Sequence, residues 1–208
     1  MKPRYIFRIL GLPGAGKTFL TEQYIIPIPH IYCEQENLYH WNQLLYDSYK
    51  GVPGAAFTCQ KAVIASIFKR DMEIYANIDS PKHRINVLES NLLAVKYFCK
   101  ALWKTNRLSE YEYKECIKDC EQKQCILDNF CVEKSLNIVE ILLYLEVSPY
   151  IAYTNIHDKR KRPTEKYLDM AFLTNLLDIY KENTDKAEFL IITPNTNIFK
   201  FIEYAMSM

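Results

Sequence analysis

Hydrophobic and polar positions along the chain switch repeatedly between strand-like runs and helical spacing. Tyr5, Ile6, Phe7, Arg8, Ile9 and Leu10 form a β-branched and aromatic run that stops at a glycine-rich loop, the pattern of a buried strand. Residues 18–24 follow as a helix, residues 28–33 as a short second strand. Leu38, Trp41, Leu44 or Leu45, and Tyr49 share one helical face, which predicts a helix over 38–49. Residues 51–54 (Gly51, Val52, Pro53, Gly54) read as a turn. A long helix is predicted over 57–78, with Val63, Ile64, Ile67, Met72 and Tyr75 as its apolar positions. Beyond Pro81, residues 85–88 predict a third strand that runs into Glu89, and helices are predicted over 91–103 and 110–120. Residues 139–147 predict a fourth strand, with Pro149 where a helix would start. A basic stretch, a helix over 164–180, a fifth strand over 189–193 and a helix over 198–205 complete the chain. This alternation predicts one α/β domain over residues 1–208, a five-stranded parallel sheet flanked on both faces by helices.

Composition narrows the classes. Hydrophobic residues make up 49% and charged residues 25%, as in a soluble globular protein. A formal charge of +1 gives no whole-molecule field that would draw the chain to nucleic acid or to a membrane. Arg8 interrupts the first apolar run, so the N-terminal residues do not read as a signal peptide, and no stretch reaches the roughly 18 apolar residues of a membrane span. The expected location is cytoplasmic. Seven cysteines cannot all pair. Cys116, Cys120, Cys125 and Cys131 cluster without a CxxC spacing or a nearby histidine, so they read as reduced, partly buried thiols rather than zinc ligands.

The most specific chemistry lies in residues 11–18: Gly11, Leu12, Pro13, Gly14, Ala15, Gly16, Lys17 and Thr18 match GxxxxGK[ST], the phosphate-binding P-loop. Its glycines let backbone N–H groups converge on phosphate oxygens, and the following helix adds the positive potential of its N-terminus. Lys17 would reach the β- and γ-phosphates of ATP, and Thr18 would bind Mg2+. The motif sits between a predicted strand and a predicted helix, which makes the expected architecture a P-loop NTPase-type sheet. Three of the five glycines lie in this loop, and none lies beyond Gly54. GTPases would add an NKxD motif, which is absent, and AAA-type or helicase ATPases an apolar strand ending in paired acids. The strands here end instead at Glu89 and Val147, which leaves small-molecule kinases as the leading class.

Beyond the P-loop the chain resembles the deoxyribonucleoside kinases, the family that includes thymidine and deoxycytidine kinases. Residues 36–41, from Glu36 to Trp41, look like the family's Glu-Pro-x-x-x-Trp, with Asn37 in place of proline. Leu44 and Leu45 precede Tyr49 at the family spacing, and Gln60 follows Tyr49 by eleven residues. Residues 144–168 resemble the family's strand, lid and following helix. The likeness is patchy between Lys104 and Leu136.

The resemblance implies transfer of the ATP γ-phosphate to the 5′-hydroxyl of a deoxyribonucleoside, a nucleotide-salvage step that supplies DNA synthesis. Glu36 would be the general base, with Glu34 the competing carboxylate. Tyr49 would bond the 3′-hydroxyl and Trp41 would wall the base pocket, each with ordinary packing as its alternative, and Gln60 would bond the base edge, with helix N-terminal polarity as its alternative. Glu89 would help hold Mg2+ with Thr18. Ser90 stands where the family has an arginine, and Lys96 is the candidate to compensate, since Arg84 lies at the wrong end of its strand. Residues 156–165 would form the lid, bearing Lys159, Arg160, Lys161 and Arg162, with a solvated basic face as the alternative. If the lid is helical, Lys159 and Arg162 share one face while Arg160 and Lys161 point elsewhere. Glu165 would replace the lid-side glutamate that binds the 3′-hydroxyl. Where family members that accept purines and deoxycytidine carry an arginine and an aspartate, this chain has Ile67 and Val95, which with Val63 implies an apolar pocket suited to thymidine. The family is commonly dimeric through helices near Leu45 and Leu92, so a homodimer is expected. A nucleoside monophosphate kinase is the first alternative, although residues 28–60 contain no arginine to grip an acceptor phosphate. A non-catalytic nucleotide-binding switch is the second.

Overall fold

The computed structural model describes residues 3–26, 31–35, 41–78, 85–183 and 189–207. Five parallel strands form one sheet: β1 (Arg4–Leu10), β2 (Ile31–Glu34), β3 (Ile85–Glu89), β4 (Ile138–Leu145) and β5 (Leu190–Ile192), in the order β2-β3-β1-β4-β5. β1 is central. It pairs with β3 from Tyr5 opposite Ile85 to Ile9 opposite Glu89, and with β4 from Arg4 opposite Ile138 to Leu10 opposite Tyr144. Its Ile6, Phe7, Ile9 and Leu10 are fully buried, because a central parallel strand is covered on both faces. Arg8 is buried among them, where two carboxylates from neighbouring elements compensate it.

The helices are α1 (Lys17–Tyr24), α2 (Asn42–Lys50), α3 (Ala55–Ala76), α4 (Leu92–Lys104), α5 (Glu110–Glu133), α6 (Pro149–Thr154), α7 (Met170–Asn183) and α8 (Ile198–Ser207). Each follows the strand or helix that the sequence pattern placed before it; most ends lie within one or two residues of expectation, and the larger differences are in α5, α7 and the lid. β4 stops at Leu145 rather than 147, where its short partner β5 ends opposite it. α5 runs thirteen residues past the expected end at 120, to Glu133. Nothing in 121–133 breaks a helix, and Leu127 extends the buried stripe of Cys116 and Cys120 along the same face. A capping box between Ser109 and Glu112 starts it.

The helix expected over 164–180 begins instead at Met170, where the Asp169 side chain accepts from the Phe172 N–H at 2.7 Å. Before it, Pro163–Glu165 is a single 3-10 turn. The basic segment is not a regular helix either. Asn155–Arg160 forms a π-helical turn that ends at Lys161, which has φ 47° in the left-handed region. Residues 28–30 of the expected second strand and 38–40 of the expected second helix lie outside the described residues. Among the described residues no helix is long and apolar enough to cross a membrane. Leu45 and Leu92 are buried within this chain, so a dimer built on their helices would use other side chains of α2 and α4.

Candidate active site

The C-terminal ends of β1 and β3, where ligands bind in open parallel sheets, open into a cavity of about 560 Å³. At its floor the P-loop joins β1 to α1. Gly14 has φ 78°, and a Cβ there would press into the Ala152 carbonyl and lie 2.8 Å from Ile156 Cγ1, so only glycine lets α6 approach this closely. Lys17 Nζ donates to the carbonyls of Gly11 and Leu12, both at 3.1 Å, which folds its side chain over the loop. Gly11, Pro13, Gly14, Gly16, Lys17 and Thr18 line the cavity. Leu12 and Ala15 do not: their side chains are buried in the core, which leaves only their backbones on the phosphate side.

Glu89, at the end of β3, meets two hydroxyls of α1. Thr18 Oγ1 donates to Glu89 Oε2 at 3.4 Å and Thr21 Oγ1 to Glu89 Oε1 at 3.3 Å. Gln35 Nε2 donates to Thr21 Oγ1 at 3.0 Å and extends this polar group toward β2. A carboxylate and a hydroxyl beside the phosphate loop form an all-oxygen donor set, which suits Mg2+ bound jointly by protein and phosphates. Thr21 was not singled out in the sequence, although its place three residues after Thr18 puts both hydroxyls on one helical face.

The nucleoside side of the cavity gathers residues from α2, α3, α4 and the lid. Trp41, Tyr49, Gln60, Val63, Val95 and Glu165 all line it. Gln60 is 2% exposed, and the Cys99 thiol donates to its Oε1 at 3.6 Å. Phe172 of α7 holds two walls together: its ring meets Phe98 edge-on at 4.8 Å and Tyr49 at 6.5 Å between centroids. Ala94 and Phe98 line the cavity beside Val95 on α4, a helical spacing that the sequence already contained. Glu165 is buried, and its Oε2 finds no hydrogen-bond partner among the described residues. A buried carboxylate oxygen left unpaired carries a desolvation penalty that a bound donor would remove.

Three expectations change. Ile67 is packed in the core and is absent from the cavity wall: it shares the helical face of Gln60 and Val63 but lies one turn further along α3, past the residues that line the cavity. Lys96 cannot stand in for an arginine at position 90, because its Nζ reaches to Glu121 on α5 at 3.1 Å, on the far face of α4. In the lid, Arg160 and Arg162 line the cavity together, while Lys159 and Lys161 are exposed. The π-helical turn and the left-handed Lys161 replace the three-residue repeat of a helix with an every-second-residue alternation. Asn155 Nδ2 anchors the lid root to the Gly14 carbonyl, and His157 Nε2 donates to the Leu168 carbonyl at 2.9 Å near its far end. Glu36 and Arg84 lie outside the described residues. Glu34 is described: its Oε2 accepts from the Tyr32 hydroxyl at 2.7 Å, and it does not line the cavity.

The model of the deoxynucleoside kinase family matches residues 7–204. A deoxyadenosine kinase from M. mycoides, solved with the products dCMP and a flexible dCDP bound, has a TM-score of 0.69 at 20% identity over 97% of each chain. The same enzyme with bound dATP gives the same values, and with bound dCTP a TM-score of 0.65. No curated sequence matches the chain. The structural likeness extends over nearly the whole sheet and its helices and shows a P-loop NTPase-type fold.

Proposed function

The chain belongs to the deoxynucleoside kinase family, and from that premise we propose that it transfers the γ-phosphate of ATP to the 5′-hydroxyl of a deoxyribonucleoside, with thymidine the preferred acceptor. The observation that carries this reading is that one cavity is lined both by the P-loop and by Tyr49, Gln60 and the unpaired carboxylate of Glu165. Its volume, about 560 Å³, falls within the range of small-molecule sites.

The 5′-oxygen attacks the γ-phosphorus while the bond from that phosphorus to the β,γ-bridging oxygen breaks, and the hydroxyl proton passes to a carboxylate. Glu36 is the base by the family pattern, two positions after the last residue of β2 in the sequence. Lys17 and the P-loop N–H groups hold the phosphates in place, and Arg160 and Arg162 supply positive charge over the migrating group. Thr18 and Glu89 would hold Mg2+, which when bound neutralises charge on the phosphates. The hydrogen bond from Asn155 to the Gly14 carbonyl holds the lid root beside the phosphate loop, from where closure over the nucleotide would keep water out.

Thymidine is favoured by hydrocarbon around the base edge. Val63, Ala94, Val95 and Phe98 carry no charge to meet an exocyclic amino group, and the thymine methyl would meet apolar side chains. Gln60 offers a donor and an acceptor to a pyrimidine edge. The test is a panel of thymidine, deoxyuridine, deoxycytidine, deoxyadenosine and deoxyguanosine with ATP and Mg2+. Thymidine should give the highest kcat/KM. A purine nucleoside that outperforms it would remove the base assignment and leave the kinase standing, whereas turnover with thymidylate alone would favour a monophosphate kinase. We further propose a homodimer, which sedimentation would check.

A further inference from the structure

Arg70 and Asp71 lie together in α3, one helical stretch beyond Gln60 and Val63, and both are buried although neither lines the cavity. Each of the three Arg70 guanidinium nitrogens makes a hydrogen bond, two of them to the end of β3 and the residue after it. Its Nη1 donates to the Glu89 carbonyl at 2.7 Å and its Nη2 to the Ser90 carbonyl at 3.0 Å. Its Nε donates to Asp71 Oδ1 at 3.0 Å. The same Asp71 oxygen accepts from Arg8 Nη1 at 2.9 Å, and Arg8 Nε donates to Glu140 Oε1 at 2.6 Å. Two guanidinium groups and two carboxylates therefore form a charge-balanced chain from the surface of β4, through the central strand, to the end of β3. Burial alone would lower the Arg8 pKa, but Asp71 and Glu140 together outweigh it and raise it above the ordinary value.

This chain ends at the most constrained backbone of the site. Ser90 has φ 65°, a left-handed conformation that a residue with a side chain adopts only when its surroundings over-determine it. Its N–H donates to the Ile9 carbonyl at 3.2 Å, and Asn91 caps α4 immediately afterwards through the Ala94 N–H at 2.9 Å. The carbonyls of Glu89 and Ser90 are both taken by the Arg70 fork. A planar fork can hold two successive carbonyls at once, which a lysine ammonium cannot do with the same geometry.

We propose that Arg70 is a positioning residue for phosphoryl transfer: it clamps the Glu89 and Ser90 carbonyls, and so aims the Glu89 carboxylate at the metal-bound nucleotide. It also ties that carboxylate to α3, the helix that carries Gln60 and Val63, so that the metal side and the base side of the cavity share one rigid element. Because its charge is compensated by Asp71 and it does not reach the cavity, it acts through Glu89 rather than on the phosphate. The inference rests on the reading of Thr18 and Glu89 as the Mg2+ site.

The experiment uses Arg70→Lys with Glu89→Gln as the scale. Circular dichroism checks the fold, calorimetry measures ADP affinity in EDTA, and electron paramagnetic resonance measures Mn2+ affinity of the protein–ADP complex. Metal-free ADP affinity should stay within about twofold of the parent, while the Mn2+ dissociation constant rises about tenfold, the weakening expected for a lost supporting partner of a metal ligand. The Mg2+ concentration for half-maximal velocity should rise in parallel, with KM for the nucleoside little changed. Parental Mn2+ affinity in a folded Arg70→Lys protein would overturn the proposal. If that variant does not fold, Arg70→Gln, which keeps one amide donor group but loses the guanidinium fork that spans both carbonyls, decides. A weaker Mn2+ affinity supports the clamp, and a parental one overturns it. Metal binding is read without a nucleoside, so failure of the parent to phosphorylate any nucleoside would remove the proposed function and leave this test intact. A parent that binds no Mn2+ with ADP would overturn the metal site and the clamp together.

Discussion

Asn155 Nδ2 donates to the Gly14 carbonyl at 2.9 Å and joins the root of the lid to the phosphate loop across 141 residues of chain. Lid and loop are thereby one unit, and the space between them leaves no room for a side chain at position 14. Gly14→Ala is expected to cost stability on the order of 1–3 kcal/mol for the left-handed φ alone, and to weaken ATP binding because the added methyl displaces Ala152 and Ile156. Thermal denaturation and ATP titration measure both. Parental values for both would show that the loop does not need this conformation.

Glu165 enters the cavity with a carboxylate oxygen that finds no partner among the described residues. A sugar hydroxyl donating to it would gain a charge-assisted bond worth about 1.5–3 kcal/mol, or roughly 10–100-fold in kcat/KM. Glu165→Ala should lose that factor with thymidine. The parent should prefer thymidine to 3′-deoxythymidine, and Glu165→Ala should narrow that preference to what Tyr49 alone supplies. Equal discrimination by parent and variant would remove Glu165 from the sugar site.

In the lid, Arg160→Ala and Arg162→Ala should each lower kcat by about a hundredfold or more, the scale of losing one preorganised donor to a developing charge. KM for the nucleoside should move far less. Lys159→Ala and Lys161→Ala, at exposed positions, should stay within about twofold. The reverse ranking would mean that the lid meets the phosphates with its other side.

Glu36→Gln should preserve ATP binding and cut turnover by roughly a hundred- to ten-thousand-fold. Glu34→Gln should remain close to the parent, since Glu34 is engaged by the Tyr32 hydroxyl and lies off the cavity wall. A large loss at Glu34 with none at Glu36 would reassign the base.

Burial pushes the Cys59 and Cys120 thiols up to about 12, and Cys125 is exposed. Because the thiolate is the reactive form, a disulfide-exchange reagent at neutral pH should modify Cys125 quickly, and Cys59 and Cys120 only after denaturant is added. Cys125→Ser should abolish the fast phase. Rapid modification of Cys59 in the folded protein would contradict its complete burial.

What the sequence determined by itself was whatever local chemistry dictates. Residues 11–18 could be recognised because a P-loop needs glycines, Lys17 and Thr18 at fixed offsets. The five strands could be recognised because their apolar runs are bounded by glycine, proline or polar residues. Glu89 and Gln60 were legible through their positions at a strand end and a helix start. The remainder was decided by how elements cross. Whether Ile67 or Phe98 walls the cavity depends on how far the cavity runs along α3 and α4, and both residues are equally apolar in the chain. The facing of Arg160 and Arg162 depends on a π-helical turn and on the positive φ of Lys161, backbone states that no periodicity announces. Arg70 carries no motif at all. It acquires its place only when α3 packs beside β3, nineteen residues later in the chain, where burying a guanidinium demands that every carbonyl and carboxylate around it be arranged to receive it.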